Sequence, residues 1–169
     1  HVTSLTLECW INIERYSIQP ISWISEIIRK ESSFVLQFDE NGNIRPHVRI
    51  NNDWKLWTAP KVPSLNEWHF LAMTYDETSG DHKLYIDGKL NGSQNLGVGN
   101  LIEVSSASLD IGGMTYNSLD GMVDEVRIYN RALSGQEIQN QYVADGGIVI
   151  TTTGIVGKIT KTDNITGLA

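Results

Sequence analysis

Three carboxylates, Asp120, Asp124 and Glu125, stand within the run DGMVDE. Two carboxyl groups about 5 to 5.5 Å apart would supply the acid and nucleophile of a retaining glycosidase. Several oxygens converging on one point would instead hold a hard cation such as calcium. On a regular strand over 121 to 129, Asp124 points with Met122, Val126 and Ile128, and Glu125 points with Arg127 and Tyr129. Adjacent residues on opposite faces do not form a working pair. A charged Asp124 on an apolar face is costly unless backbone N–H groups, an arginine or a metal satisfies it. A hydrogen-bonded structural acid is therefore the favoured expectation. Ligation of one structural calcium ion by Asp124 and Asp120, near one strand end, is the alternative, and catalysis comes last. For Asp120 alone, a solvated turn aspartate is the plainer reading.

A second set of residues fits binding rather than turnover. Trp54 and Trp57, in NNDWKLWTAPK, offer aromatic faces, and amphipathic rings of this kind grip the apolar side of a sugar. Being three apart, they face opposite ways on a strand, so one enters the core and the other meets solvent or ligand. Arg45, His47 and Arg49 alternate along one strand face, a cationic row able to bond carboxylated or sulfated groups; a solvated face is the commoner use of such a row. Tyr116 and Asn117, in GMTYNSLD, lie in a loop at a sheet end, where ligand contacts often sit; for Asn117, turn formation competes.

No other catalytic set stands out. Histidines 1, 47, 69 and 82 lack metal-binding spacing, and there is neither a G-x-S-x-G elbow nor a phosphate-cradling glycine loop. The single cysteine, Cys9, falls on the inward face of a strand, where an inert core role is expected.

The elements that must position these residues are mostly strands. Leu5, Leu7, Cys9, Ile11 and Ile13 alternate with polar neighbours, the period-2 pattern of a half-buried strand. WISEIIRK and FVLQFD follow, then Asn41-Gly42, read as the positive-φ pair of a tight turn before a strand over 44 to 50. EWHFLAMTYD is apolar on both faces, as a central strand requires, and HKLYIDGKLNG turns at Asp87-Gly88. Residues 91 to 100 read as a loop, followed by strands at ASLDIGG and GMVDEVRIY. Ser134 and Glu137 form a capping box, and Leu133 with Ile138 a hydrophobic staple, predicting one helix over 135 to 143. The whole predicts an all-β fold: a two-sheet antiparallel jelly-roll sandwich with one short C-terminal helix.

Composition sets outer limits. The 169 residues suit one domain, and 40% hydrophobic content suits a folded one with no run long enough to cross a membrane. Thirteen basic against twenty acidic residues, net -7, oppose nucleic acid and anionic lipid as partners. With neither an initiator Met nor a signal segment, the chain is expected to be cut from something longer or already processed.

The motifs LTLECWIN, NEWHFLAMTYD, LYIDGKLNG, LDIGG and DGMVDEVRIYNRALSGQEI, in this order, resemble the laminin-G-like, concanavalin-A-like jelly-roll domains related to pentraxins, over residues 4 to 143. The resemblance implies a laminin-G-like domain over 1–145; by composition, 146–169 is a Gly, Thr and Ile rich tail, either a linker or extra strands completing the sheet. The resemblance also implies a non-catalytic module of a larger secreted or cell-surface protein that binds a glycan or a surface protein, often with calcium. Trp10 and Trp68 match tryptophans of the family motifs that pack structurally. Glucanases on the related scaffold carry an E-x-D-x-x-E run, which DGMVDE does not match, and the pentraxin Glu-Gln-Asp calcium run is absent from GGMTYNSLDG.

Family members begin about twenty residues earlier, with an additional strand, so an open sheet edge is expected here. Part of 148 to 160 is a candidate to fill it, in the same chain or in a neighbouring copy. A structural or assembly module of a fibre or surface layer, joined into a homo-oligomer by strand exchange through the tail, is the alternative function.

Overall fold

In the computed structural model the described residues are 1–16, 24–60, 64–113 and 116–147, together with the backbone of two short strands, Val149–Thr151 and Gly154–Val156. Ten strands and one helix precede that pair: β1 Ser4–Arg15, β2 Ile24–Lys30, β3 Phe34–Asp39, β4 Ile44–Ile50, β5 Asp53–Leu56, β6 Trp68–Asp76, β7 Asp81–Ile86, β8 Lys89–Asn95, β9 Leu109–Ile111, β10 Asp120–Tyr129 and α1 Gly135–Ala144. They form two five-stranded antiparallel sheets, a back sheet ordered β10-β1-β6-β7-β8 and a front sheet ordered β5-β4-β3-β2-β9. The sandwich and its single helix follow the expectation from the strand patterns.

The main core lies between the sheets. Leu7, Cys9, Ile11 and Ile13 of β1, with Leu71, Met73 and Tyr75 of β6, meet Ile27, Ile28, Leu36, Phe38, Ile44 and Val48 of the front sheet, all buried. Each such side chain contributes about 1.5–3 kcal/mol by leaving water. The middle place of β6 in its sheet explains its two apolar faces. Its other face, Phe70 and Ala72, forms a second small core with Tyr85, Leu133 and Ile138 beneath α1, flanked by Trp10 and Tyr142. Trp10 stacks on Tyr142 with centroids 5.6 Å apart, so its role is packing. The helix starts where the capping box places it: Ser134 Oγ accepts from Glu137 N, and Glu137 returns the bond to Ser134 N. It covers the outer face of the back sheet, through Leu133 and Ile138.

Three local expectations are corrected. At Asn41-Gly42 only Gly42 has positive φ; the turn is wider than a two-residue loop, with Asp39 Oδ1 accepting from the N–H groups of Asn41 and Asn43. β8 runs on to Asn95 instead of yielding to a loop at 91, because an edge strand open to solvent needs no apolar alternation. The tail strands β11 (Val149–Thr151) and β12 (Gly154–Val156) pair with each other and with neither five-stranded sheet, so among the described residues they do not fill an edge of their own chain. Residues 148, 152–153 and 157–160 of that segment lie outside the described residues.

Candidate functional site

A β-bulge decides what the three carboxylates do. Trp10 pairs with Asp124 and Glu8 with Arg127, so the single residue Cys9 faces both Glu125 and Val126. Glu125 takes φ 50° to accommodate the extra residue, and its N–H donates to Asp124 Oδ1 at 2.8 Å. The bulge resets the alternation, so Val123 and Val126 both turn toward the core while Asp124 is exposed. Asp124 thus shares a face with Met122, as expected, but not with Val126 and Ile128, and it is no core acid.

Glu125 and Arg127 do face together, 2.8 Å apart, and Arg127 also holds Asp145 at 2.6 Å. Asp120 pairs with Arg15 at 2.6 Å. Asp120 and Asp124 stand four residues apart along the strand, about 13 Å, too far to share an ion. Among the described residues no three His, Cys, Asp or Glu side chains group to hold a metal.

The binding candidates converge on the outer face of the front sheet. Arg45, His47 and Arg49 alternate outward from β4 while Ile44, Pro46, Val48 and Ile50 turn inward. Register places Trp54 opposite Arg49 and Leu56 opposite His47 on one side, and Gln37 opposite Arg45 and Val35 opposite His47 on the other. A second bulge, at Ile27, sends both Ile27 and Ile28 into the core. It thereby brings Glu26 and Arg29, three apart in sequence, onto the same outer face, where they pair. The result is an open groove of about 270 Å³ lined by Ile24, Glu26, Arg29, Val35, Gln37, His47, Trp54 and Leu56.

Trp54 is held within it from two sides. The His47 ring stands edge-on with centroids 6.1 Å apart, and the Arg49 guanidinium lies 5.9 Å from its centroid. Arg49 is itself held by Glu103 at 3.0 Å. His47 is pushed down to about 4, first by burial and then by the charges of Arg45 and Arg29, and is therefore neutral near pH 7. Its Nε2 and the Nε of Arg45 are buried atoms with no hydrogen-bond partner. Asn117 is pinned beside the groove: its carbonyl accepts from Glu26 N at 2.9 Å, and its Nδ2 donates to Glu26 Oε1 at 3.2 Å. Tyr116, the next residue back, is 71% exposed.

Trp57 is the exception among these candidates. It turns the other way, packs against the core, and donates its indole N–H to His82 Nδ1 at 3.2 Å. The opposed directions of the two tryptophans are as their spacing predicts, and Trp57 is the one that leaves the site.

One further constellation is not signalled by residue spacing. Ser64 Oγ lies 3.0 Å from His69 Nε2, His69 Nδ1 lies 2.9 Å from Asp87 Oδ2, and Asp87 Oδ1 accepts from Phe70 N at 2.9 Å. The order resembles a Ser-His-Asp triad. However, the one proton of Ser64 goes to Glu67 Oε2 at 2.6 Å, so Ser64 accepts from His69. His69 is raised above its ordinary value, foremost by the Asp87 hydrogen bond. A serine whose proton is committed to Glu67 has none to hand to His69; the chain of four residues ties the loop before β6 to the β7–β8 turn.

With this geometry in place, likeness to known proteins becomes informative. A laminin-G-type model of the concanavalin A-like lectin/glucanases superfamily matches residues 1–139. The chain belongs to this superfamily. Within it, a sushi, von Willebrand factor type A, EGF and pentraxin domain-containing protein 1 of Rattus norvegicus is 28% identical over 158 residues, 83% of this chain and 4% of that protein. The Mus musculus counterpart is 30% identical over 129 residues, 71% of this chain and 3% of its own length. The chain therefore spans only a small part of the curated relatives it matches. Solved structures share the superfamily fold. A Bacteroides ovatus protein with a proposed carbohydrate-binding role aligns with TM-score 0.69 at 18% identity, over 91% of this chain and 44% of that one. A SAP-like pentraxin of Limulus polyphemus aligns at 0.59 and 18%, over 82% and 69%. The botulinum neurotoxin serotype G binding domain aligns at 0.67 and 16%, over 86% and 37%.

Proposed function

We propose that this domain is a non-catalytic carbohydrate-binding or adhesion module of a larger secreted or surface protein, and that it holds a saccharide in the groove on the front sheet. One observation carries the reading: Trp54 stands in an open groove with Ile24, Val35 and Leu56 as apolar floor and Gln37, Glu26, Arg29 and His47 as planar polar groups. An aromatic face with planar hydrogen-bonding groups beside it is the chemistry that a pyranose ring requires. The superfamily match, and likeness to a structure with a proposed carbohydrate-binding role, support the same reading. Likeness to a protein named for sushi, EGF and pentraxin domains supports the extracellular placement.

The test is a glycan screen of the whole chain beside Trp54→Ala. Retention of specific binding that the variant loses, with unchanged unfolding, is expected. Binding that survives Trp54→Ala would move the site elsewhere.

A second reading, self-association, is favoured by β10, which among the described residues is an edge strand, and where Met122 and Ile128 are exposed apolar residues. Sedimentation velocity across a concentration series tests it, with a monomer throughout as the refuting result.

A further inference from the structure

The three arginines on the front face are not alike. Arg29 is paired with Glu26 and Glu31, and Arg49 with Glu103. Arg45 has no carboxylate partner among the described residues, and its Nε is buried without a hydrogen bond. Two residues along the same strand and on the same face, His47 presents a second buried nitrogen without a partner, Nε2. The three arginines and three glutamates balance in number, but Arg29 takes two of the glutamates, so Arg45 is left without one in reach.

An uncompensated guanidinium with its Nε withdrawn from water costs free energy unless something supplies an acceptor. Gln37, its neighbour across the β3–β4 register, brings no charge. Glu26, one strand further over, already accepts from Arg29 and Asn117. Among the described residues no carboxylate stands within ion-pair distance of Arg45. A neutral sugar hydroxyl would meet the hydrogen bond and leave the charge. A carboxylate or sulfate ester would meet both through the guanidinium's terminal N–H groups, with the His47 ring beside it.

We propose that the ligand of this groove is an anionic saccharide, its acidic substituent bound between Arg45 and His47 and its ring lying against Trp54. The proposal rests on the saccharide-binding reading above. It sets the class of sugar: a uronic-acid-containing or sulfated oligosaccharide rather than a neutral one. The acidic balance of the whole chain, net -7, makes the recognition local, so binding depends on these side chains and not on long-range attraction.

The experiment is calorimetric titration of the whole chain with galacturonate, glucuronate and mannuronate trimers, their carboxyl-reduced counterparts, and sulfated trimers of the same neutral sugars. At least one acidic trimer is expected to bind about tenfold or more tightly than its neutral counterpart, and Arg45→Gln to erase that advantage. Trp54→Ala should weaken acidic and neutral forms alike. Arg45 lies on the outer face, so Arg45→Gln should fold, and its urea midpoint is measured beside the wild type. Carboxylated and sulfated arms binding differently identify which anion the groove prefers. Equal binding of acidic and neutral trimers, or an acidic advantage that Arg45→Gln leaves intact, overturns the anionic proposal while the saccharide reading stands. Binding of none of the trimers overturns both.

Discussion

Trp57 donates its indole N–H to Nδ1 of His82 at 3.2 Å, their rings edge-to-face with centroids 6.1 Å apart. Trp57 follows the front edge strand β5, and His82 belongs to β7 of the back sheet, so this one bond joins the sheets along their open side. Gly92 on β8 makes room for it: a Cβ there would stand 2.8 Å from Trp57 Cζ3. Trp57→Ala should therefore cost about 3–5 kcal/mol, the range for a large aromatic lost from a packed site. Trp54→Ala should cost less than about 1 kcal/mol, as surface changes do. Urea unfolding of the pair measures the difference, and equal losses would refute the division of labour between these tryptophans.

Glu8 is fully buried on the face of β1 that α1 covers, and burial pushes its carboxyl up to about 7, against the lowering charge of Arg127. A raised carboxyl makes the folded state bind its proton more tightly than the unfolded state does. Its contribution to stability is complete below its ordinary value of 4.5 and is lost as pH rises through about 7. His82, pushed down to about 3 foremost by burial, acts on the opposite limb: stability is lost as pH falls from its ordinary 6.5 toward 3. Glu8→Gln should raise the melting temperature at pH 8 more than at pH 5. A pH-independent change would show that the carboxyl does not titrate in the fold.

His69 carries the reverse sign among the histidines. Its folded pKa is raised by Asp87, so its stabilisation is present below 6.5 and is lost as pH rises through the folded value. Asp87→Asn should lower the midpoint of the His69 ring resonances in a proton NMR titration and cost about 1–3 kcal/mol through the hydrogen bonds removed. The wild type should show no turnover of activated esters that Ser64→Ala abolishes. Such turnover would mean that Ser64 gives its proton to His69 rather than to Glu67.

Calcium should leave thermal unfolding unchanged, because Asp120 is committed to Arg15 and Asp124 stands alone on the exposed side of the bulge. An ion bound only by the folded state would raise the midpoint by mass action. An upward shift abolished by Asp124→Asn would place an ion there, with backbone oxygens completing its shell.

Much of the fold was legible because its signals are local. Period 2 in β1 and β4, two apolar faces in β6, and the Ser134–Glu137 box at α1 are each written in a few consecutive residues. The part of the front face that β4 and β5 supply, Arg45, His47, Arg49 and Trp54, was legible for the same reason. Glu26 and Arg29 were not, because the bulge at Ile27 breaks the count on which a facing argument depends. Asp124 was turned the wrong way by the same kind of irregularity at Glu125. Val35 and Gln37 were hidden differently: β3 is buried almost throughout, and a strand covered on both faces does not advertise which residues line a groove. The Ser64–His69–Asp87 chain joins a loop to a distant turn, a closeness that only the register of β6 on β7 creates.

The bulge in β10 also sets which length changes this strand can absorb. Removing one residue from a regular strand turns everything beyond it to the opposite side and empties its share of the core. At Glu125 the arithmetic runs the other way, since β10 there carries one residue more than β1 requires. Deleting Glu125 would leave Asp124 opposite Trp10 and bring Val126 squarely opposite Cys9, with every other side chain facing as before. The strand thus contains one position that can vanish while its neighbours cannot.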